Sequence, residues 1–363
     1  MVVGDRPMPI QEGREAVYRN GLDGGPDAKK PGDKTMMQSH WFWLLSSVLL
    51  LSVAFASAQA PGKSYTPLKT PWGDPDIQGT FTNATITPFE RPAEFAGKEF
   101  LTEKEAAELE RRAAANRVDV PPREGDTGTY NQFWFDRGSK VVSTRRSSLV
   151  IDPPDGKIPP LTQTAQRIIA ERAEARRERA FDGPENRPLA ERCLWWASTG
   201  PPIIPTGYNN TYQIAQAPGV VMIVAEMIHD ARIIPLDGRP HLPQNVRQWL
   251  GDSRGHWEGD TLVVETTNFN DPTKLEFGRP PFGSTRGIGD NARLIERFTR
   301  TAADTIMYEF TTDDPATYTK SWTAQTPWVK TEGHMFEYAC QEGNYGLANV
   351  LSGARAGDQT PAR

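Results

Sequence analysis

Residues 255–269 read GHWEGDTLVVETTNF. At the centre, Glu258-Gly259-Asp260 is turn chemistry: glycine accepts a positive φ without steric cost, and short polar neighbours tolerate a tight reversal. On one side lies the short run RGHW. On the other, TLVVETTNF from Thr261 is dense in β-branched and apolar residues that suit a half-buried pleated surface. Two such runs about a glycine turn predict a β-hairpin.

Working outward, the same grammar repeats. Tyr212–Gln216 and Val220–Met227 flank Ala217-Pro218-Gly219, and Ala231–Leu236 ends at Asp237-Gly238. Arg293–Arg300 and Thr305–Thr312 flank a loop at Thr301–Asp304, with further strands near Tyr318–Val329 and Met335–Cys340. Short turns without helical crossovers predict a mainly β fold, an antiparallel meander. It is expected to be barrel-like, of the calycin or lipocalin kind, with a sandwich or part-propeller as the alternatives. Upstream, Lys140–Ile151 reads as a strand. Thr102-Glu103-Lys104-Glu105 is a capping box for a helix reaching Asn116. A second helix is expected from Thr162 to Arg179, and both are polar enough for the surface. The domain plan is an arm over 61–206 carrying these elements and packed on the core, a β core over 207–355, and a disordered tail over 356–363.

The N-terminus has its own logic. From Trp41 the chain reads WFWLLSSVLLLSVAF, then Ala56-Ser57-Ala58-Gln59-Ala60. An uncharged run too short to span a bilayer, followed by small residues at alternate positions, predicts a signal peptide over 36–60, cleaved after Ala58 or Ala60. Met36 and Met37 then stand as the start, with residues 1–35 a non-native or disordered extension. A retained single anchor is the alternative. Export leaves the two cysteines, Cys193 and Cys340, in an oxidising compartment, where a disulfide is expected over two separate buried thiols. The formal charge is −5. Residues 1–60 hold six acidic and six basic side chains, so cleavage leaves it unchanged. So mild a balance argues against a nucleic-acid partner, and contact with a membrane is expected only through an uncleaved signal segment.

The string at 255–269, with PLDGRPH at 235–241, ERFTR at 296–300 and DDPATYTKSW at 313–322, resembles a large family of uncharacterised exported proteins from environmental bacteria. The resemblance runs from about Trp72 to Arg355. It implies export and a β-rich fold, and brings no catalytic residues with it. Where this chain has Gln341, relatives are expected often to carry His, so a ligand role at that position is not expected here.

Three sets of side chains can carry chemistry. With the loop at Thr301–Asp304, Glu296 and Glu309 face one another and Glu265 lies on the preceding strand. Carboxylates brought together in a barrel interior would supply acid/base chemistry, whereas exterior ion pairs with the abundant arginines are the bland alternative. His229 and Asp230 could join them if the chain turns between them. His229, His241 and His256 are spaced unlike any HxH or HExxH ligand set, so no metal is expected. Trp249, Trp257, Trp322, Tyr208 and Tyr212 could line a barrel mouth and stack on a sugar or aromatic ring, or simply fill the core. No GxSxG elbow, phosphate loop, dinucleotide fingerprint or CxxCH site occurs, and no cofactor is expected. The glycine-rich stretch Gly278–Gly289 reads as a loop over a pocket. The expected function is binding of a small molecule or saccharide, with a carboxylate hydrolase or lyase and an envelope-associated structural protein as alternatives.

Overall fold

The computed structural model describes residues 65–119, 121, 131–270 and 292–358, all within the compact unit Pro61–Arg363. The expected signal peptide, the extension before it and the Gly278–Gly289 loop lie outside the described residues. Among those described, no helix is long and apolar enough to cross a membrane.

In chain order the elements are β1 (Gly79–Thr82), α1 (Glu103–Ala115), β2 (Val150–Asp152), α2 (Gln163–Arg179), β3 (Thr211–Ala217) and β4 (Val220–Ala225). After them come β5 (Ala231–Pro235), β6 (Asp252–Glu258), β7 (Thr261–Thr267), β8 (Arg293–Ala302), β9 (Thr305–Asp313), β10 (Trp322–Lys330) and α3 (Tyr345–Asp358). Nine strands form one path, β5-β4-β3-β1-β10-β9-β8-β7-β6, with every neighbouring pair antiparallel; β2 pairs with β10 off that path. The sheet curls into a nearly closed barrel, with β5 and β6 alongside one another.

Helix α1 starts where its capping box places it: the Thr102 hydroxyl accepts from the Glu105 amide, and the Glu105 carboxylate accepts from the Thr102 amide at 2.9 Å. Four expectations need correction. The N-terminal arm does not merely lie over the core, because Gly79–Thr82 inserts between β3 and β10 with Phe81 fully buried. Of Lys140–Ile151 only the end is strand, since the chain first turns at Val142–Arg145, where the Arg145 amide bonds the Val142 carbonyl and Arg145 takes φ 56°. Met335–Cys340 forms no strand; side-chain tethers and a disulfide hold it instead. Helix α3 continues to Asp358, past the expected start of a disordered tail.

The interior follows period-two alternation. Leu262 and Val264 point inward from β7, Leu294 and Phe298 from β8, Tyr308 and Phe310 from β9, and Trp322 and Trp328 from β10, all essentially without exposure. Trp328 stacks on Tyr212 at 4.6 Å and meets Phe298 edge-on at 5.7 Å. The segment 195–206 packs in beside them: Trp195, Ala197, Ile203 and Ile204 are buried, and the Ile203 amide donates to the Tyr308 hydroxyl at 3.0 Å. Aromatic side chains and this segment occupy the barrel's centre.

An odd number of antiparallel strands leaves the two end strands, β5 and β6, running parallel. No ladder joins them. At one point they close through side chains: a Cβ added to Gly255 would lie 2.7 Å from Leu236 Cδ2 and 2.8 Å from Ile234 Cγ2. Glycine there lets β5 side chains rest directly on the β6 backbone.

Cys193 and Cys340 form a disulfide with Cα atoms 5.7 Å apart, closing a sequence separation of 147 residues. The strand-free chain after β10 is thereby fastened beside the segment that fills the barrel. On chain-entropy grounds a loop of that length is worth about 4–5 kcal/mol. Replacing both cysteines by serine should therefore lower unfolding stability by about 2–5 kcal/mol in urea melts. An unchanged midpoint would show that the bridge constrains nothing.

Candidate functional site

The seam between β5 and β6 is bridged by one arginine. Arg232, on β5, points inward and is 5 % exposed; Glu296, on β8, is wholly buried. Their side chains form a two-pronged ion pair, with Arg232 Nη1 to Glu296 Oε1 at 3.0 Å and Nη2 bonded to Oε2. Arg232 Nε donates to Ser253 Oγ on β6 at 2.9 Å, and Nη2 donates to Thr266 Oγ1 on β7 at 2.9 Å. From β9 the Tyr308 hydroxyl donates to Glu296 Oε1 at 2.8 Å. Burial pushes the Tyr308 phenol well above its ordinary range, so it stays a donor. One residue of β5 is thus tied directly to three strands on the far side of the seam, and through Glu296 to a fourth.

Where the edges diverge, a cavity of about 660 Å³ opens at the seam. Asp230, Arg232 and Ile233 line one wall, and Asp252, Ser253 and Arg254 the other, with Arg247, Gln248, Trp249 and Asn270 from the flanking loops. Burial raises the Asp230 carboxyl above its ordinary value, against the Ala231 amide and the nearby His229, which act to lower it. Asp252 is held on both oxygens: Arg254 Nη1 meets Oδ1 at 2.7 Å, while His241 Nδ1 and the Leu242 amide meet Oδ2, each at 2.9 Å. His241 Nε2 lies 3.4 Å from Glu265 Oε1 on the outer face of β7. The β5–β6 loop is thereby fastened to the sheet beside the cavity.

The structure separates the three expected glutamates. Glu296 faces inward, whereas Glu265 and Glu309 face outward, Glu265 bonded to Arg293 and Glu309 accepting from Gln325 Nε2 at 3.0 Å. Glu296 stands opposite Phe310, and Glu309 opposite Arg297. The reason is local: β8 runs on to Ala302, so the turn is only Ala303-Asp304, and a bulge between Arg300 and Ala302 shifts the register by one. One residue of slip moves a side chain to the other face.

His229 and Asp230 also part company. The chain does turn, with Ile228 at φ 64° and His229 at φ 46°, yet the exposed His229 ring bonds the Tyr338 carbonyl at 2.8 Å while Asp230 goes to the seam. His256 pairs with Glu258 at 3.3 Å, and among the described residues no group of three or more His, Cys, Asp or Glu is placed to hold a metal ion.

Of the aromatic set, Trp322 and Tyr212 fill the core instead of a mouth, and half-buried Trp257 packs against that core. Tyr208 borders a separate hollow of about 190 Å³, its ring 6.2 Å from that of Trp196. Trp249 alone of the five lines the seam cavity, with the Arg192 guanidinium 5.8 Å from its ring centroid. Arg232, Asp252 and Arg254 were not singled out as site residues by sequence, and His241 was weighed only as a metal ligand. An arginine alternating with Ile234 in ARIIP was the one readable sign.

Fold and cavity together define a mainly antiparallel β-barrel with a filled centre and a lateral cavity at its open seam. No family model and no curated protein matches the chain. Among solved structures, a secretary abundant heat soluble (SAHS) protein from Ramazzottius varieornatus is similar over 33 % of this chain and 70 % of that one. Its identity is 11 % and its TM-score 0.21, too slight to bear on fold or function.

The buried pair sets a measurable energy. Glu296→Ala strands a buried guanidinium and should cost about 3–5 kcal/mol, whereas Arg232→Met with Glu296→Leu should recover most of that loss. Denaturant melts of Arg232→Met alone, Glu296→Leu alone and the double variant check this; additive losses in the double variant would deny the coupling.

Proposed function

We propose that the chain is an exported protein, of the bacterial family it resembles, that binds a saccharide in the seam cavity. The observation that carries this is the cavity's lining: one tryptophan amid amide, hydroxyl, carboxylate and guanidinium groups. Sugars present apolar C–H faces to an aromatic ring and hydroxyls that both donate and accept, so they suit such a mixture. Charge favours a neutral ligand. Three guanidinium groups, on Arg232, Arg247 and Arg254, are set against Asp230, Asp252 and the underlying Glu296. An ionic ligand would bring an unmatched charge into a partly buried site.

Arg232 adds a specific contact. Four of its five N–H groups are engaged by Glu296, Ser253 and Thr266, leaving one for a ligand acceptor. The cavity volume also falls in the range of small-ligand sites, about 300–1,000 Å³.

A thermal-shift screen of the chain from Gln59 onward against oligosaccharides, with aromatic acids as the contrast, tests this. At least one oligosaccharide should raise the midpoint, because a ligand of the folded state alone stabilises it. Trp249→Ala should remove that shift while leaving the unliganded midpoint within about 1 kcal/mol in equivalent stability, as for a half-buried side chain. Shifts from aromatic acids only, or a saccharide shift indifferent to Trp249→Ala, would contradict the assignment.

A further inference from the structure

Two adjoining hollows share no lining residue with the seam cavity. The smaller, about 190 Å³, is lined by Trp196, Tyr208, Met227 and Ile228, and the larger, about 380 Å³, by Cys193, Glu337 and Asn344. Glu191, Tyr338 and Cys340 border both. Four of the six non-glycine residues with positive φ among those described lie on these walls or directly beside a lining residue: Cys193 at 57°, Asn209 at 53°, Ile228 at 64° and His229 at 46°. For β-branched Ile228 that backbone is an outlier, and such strain collects at binding and catalytic sites.

The charge here is one-sided. Glu191 is neutralised by Arg187, which meets its two oxygens at 3.0 and 2.8 Å. Glu337 is exposed and has no ion pair among the described residues. Glu226 stands where the two walls meet: it precedes Met227, and its Oε1 accepts from the Phe336 amide, one residue before Glu337, at 3.3 Å. It is 6 % exposed, and among the described residues its carboxylate has no other donor and no cationic partner. Buried carboxylates are ordinarily paired, because leaving water without a partner is costly. No positively charged side chain lines either hollow among the described residues. The balance is two negative charges, which favours a cation.

We propose that the two hollows form a second ligand site, for an organic ammonium ion carried on an aromatic or apolar group. The proposal is independent of the saccharide reading of the seam. The Trp196 and Tyr208 rings, with centroids 6.2 Å apart and planes 28° from parallel, give the smaller hollow an aromatic wall. Such rings attract a cation and pack against the group that carries it. An ammonium group has N–H donors and no acceptor, so it complements Glu226 and Glu337, which are acceptors only. An anion would meet like charge there. The site's outer wall is secured twice: Cys340 is bridged to Cys193, and the Tyr338 carbonyl bonds His229 Nδ1 at 2.8 Å.

Isothermal titration calorimetry of the chain from Gln59 onward tests this, with phenethylammonium as the probe and 2-phenylethanol and phenylacetate as its neutral and anionic counterparts. Phenethylammonium should bind about 10–100-fold more tightly than 2-phenylethanol, as expected for hydrogen bonds to a charged group. Phenylacetate should not bind. Glu226→Gln keeps the side chain's shape and an acceptor for the Phe336 amide, so it should remove most of the ammonium's advantage and leave the affinity for the alcohol unchanged. Glu337→Gln, at an exposed carboxylate, should weaken the ammonium about two- to fivefold, and it decides the matter if Glu226→Gln does not fold. Trp249→Ala, in the seam cavity, should change neither affinity. Four results overturn the proposal: no binding of phenethylammonium, equal binding of the alcohol, an ammonium affinity unmoved by the glutamate substitutions, or its loss on Trp249→Ala.

Discussion

The ion pair between Arg232 and Glu296 is the interaction on which the rest of the barrel depends. Two charges without water are costly unless every donor and acceptor is used. Here Glu296 takes two bonds from the guanidinium and one from Tyr308, while Ser253 and Thr266 take two of the remaining Arg232 donors. Those partners sit on β6, β7, β8 and β9, and the arginine on β5. The pair therefore connects the two ends of the sheet that backbone hydrogen bonds leave unjoined. A side-chain network stands in for the missing ladder.

That substitution explains where a ligand can go. A barrel zipped all the way round exposes no edge, and this one has its centre filled by Trp322, Trp328, Tyr212, Tyr308 and the segment carrying Ile203. What remains accessible is the seam. It is closed at Gly255, where Leu236 and Ile234 rest on backbone, and open toward Asp230 and Asp252. The β5–β6 loop brings Trp249 to the opening and is itself secured by His241 on Asp252. The polar core and the lateral cavity lie on the two sides of one feature, the unjoined seam between β5 and β6.

Much of this was legible in the sequence, for identifiable reasons. Turn glycines and alternation around Gly219 and Gly259 placed β3, β4, β6 and β7 to within a residue or two, and the Thr102 capping box placed α1. Even the inward direction of Glu296 could be read, since it alternates with Leu294 and Phe298. Its partner could not be. Arg232 lies 64 residues away, and only the closure of the barrel brings them together. The bulge after Arg300 was equally invisible, because nothing in RTAADT distinguishes a two-residue turn from a four-residue loop. β1 escaped notice because four residues among prolines carry no period of their own; its place is set by the gap between β3 and β10. The site residues on the β5–β6 loop followed the same rule: proximity across a seam leaves no local mark.

Amide hydrogen exchange followed residue by residue by NMR tests the open seam most directly. The seam-facing amides of β5 and β6 have no ladder partner. They should exchange by local opening, orders of magnitude faster than the inner amides of β8, β9 and β10, which exchange only with global unfolding. Protection of the seam-facing amides equal to that of β9 would mean that β5 and β6 are hydrogen-bonded to one another, and would contradict the account.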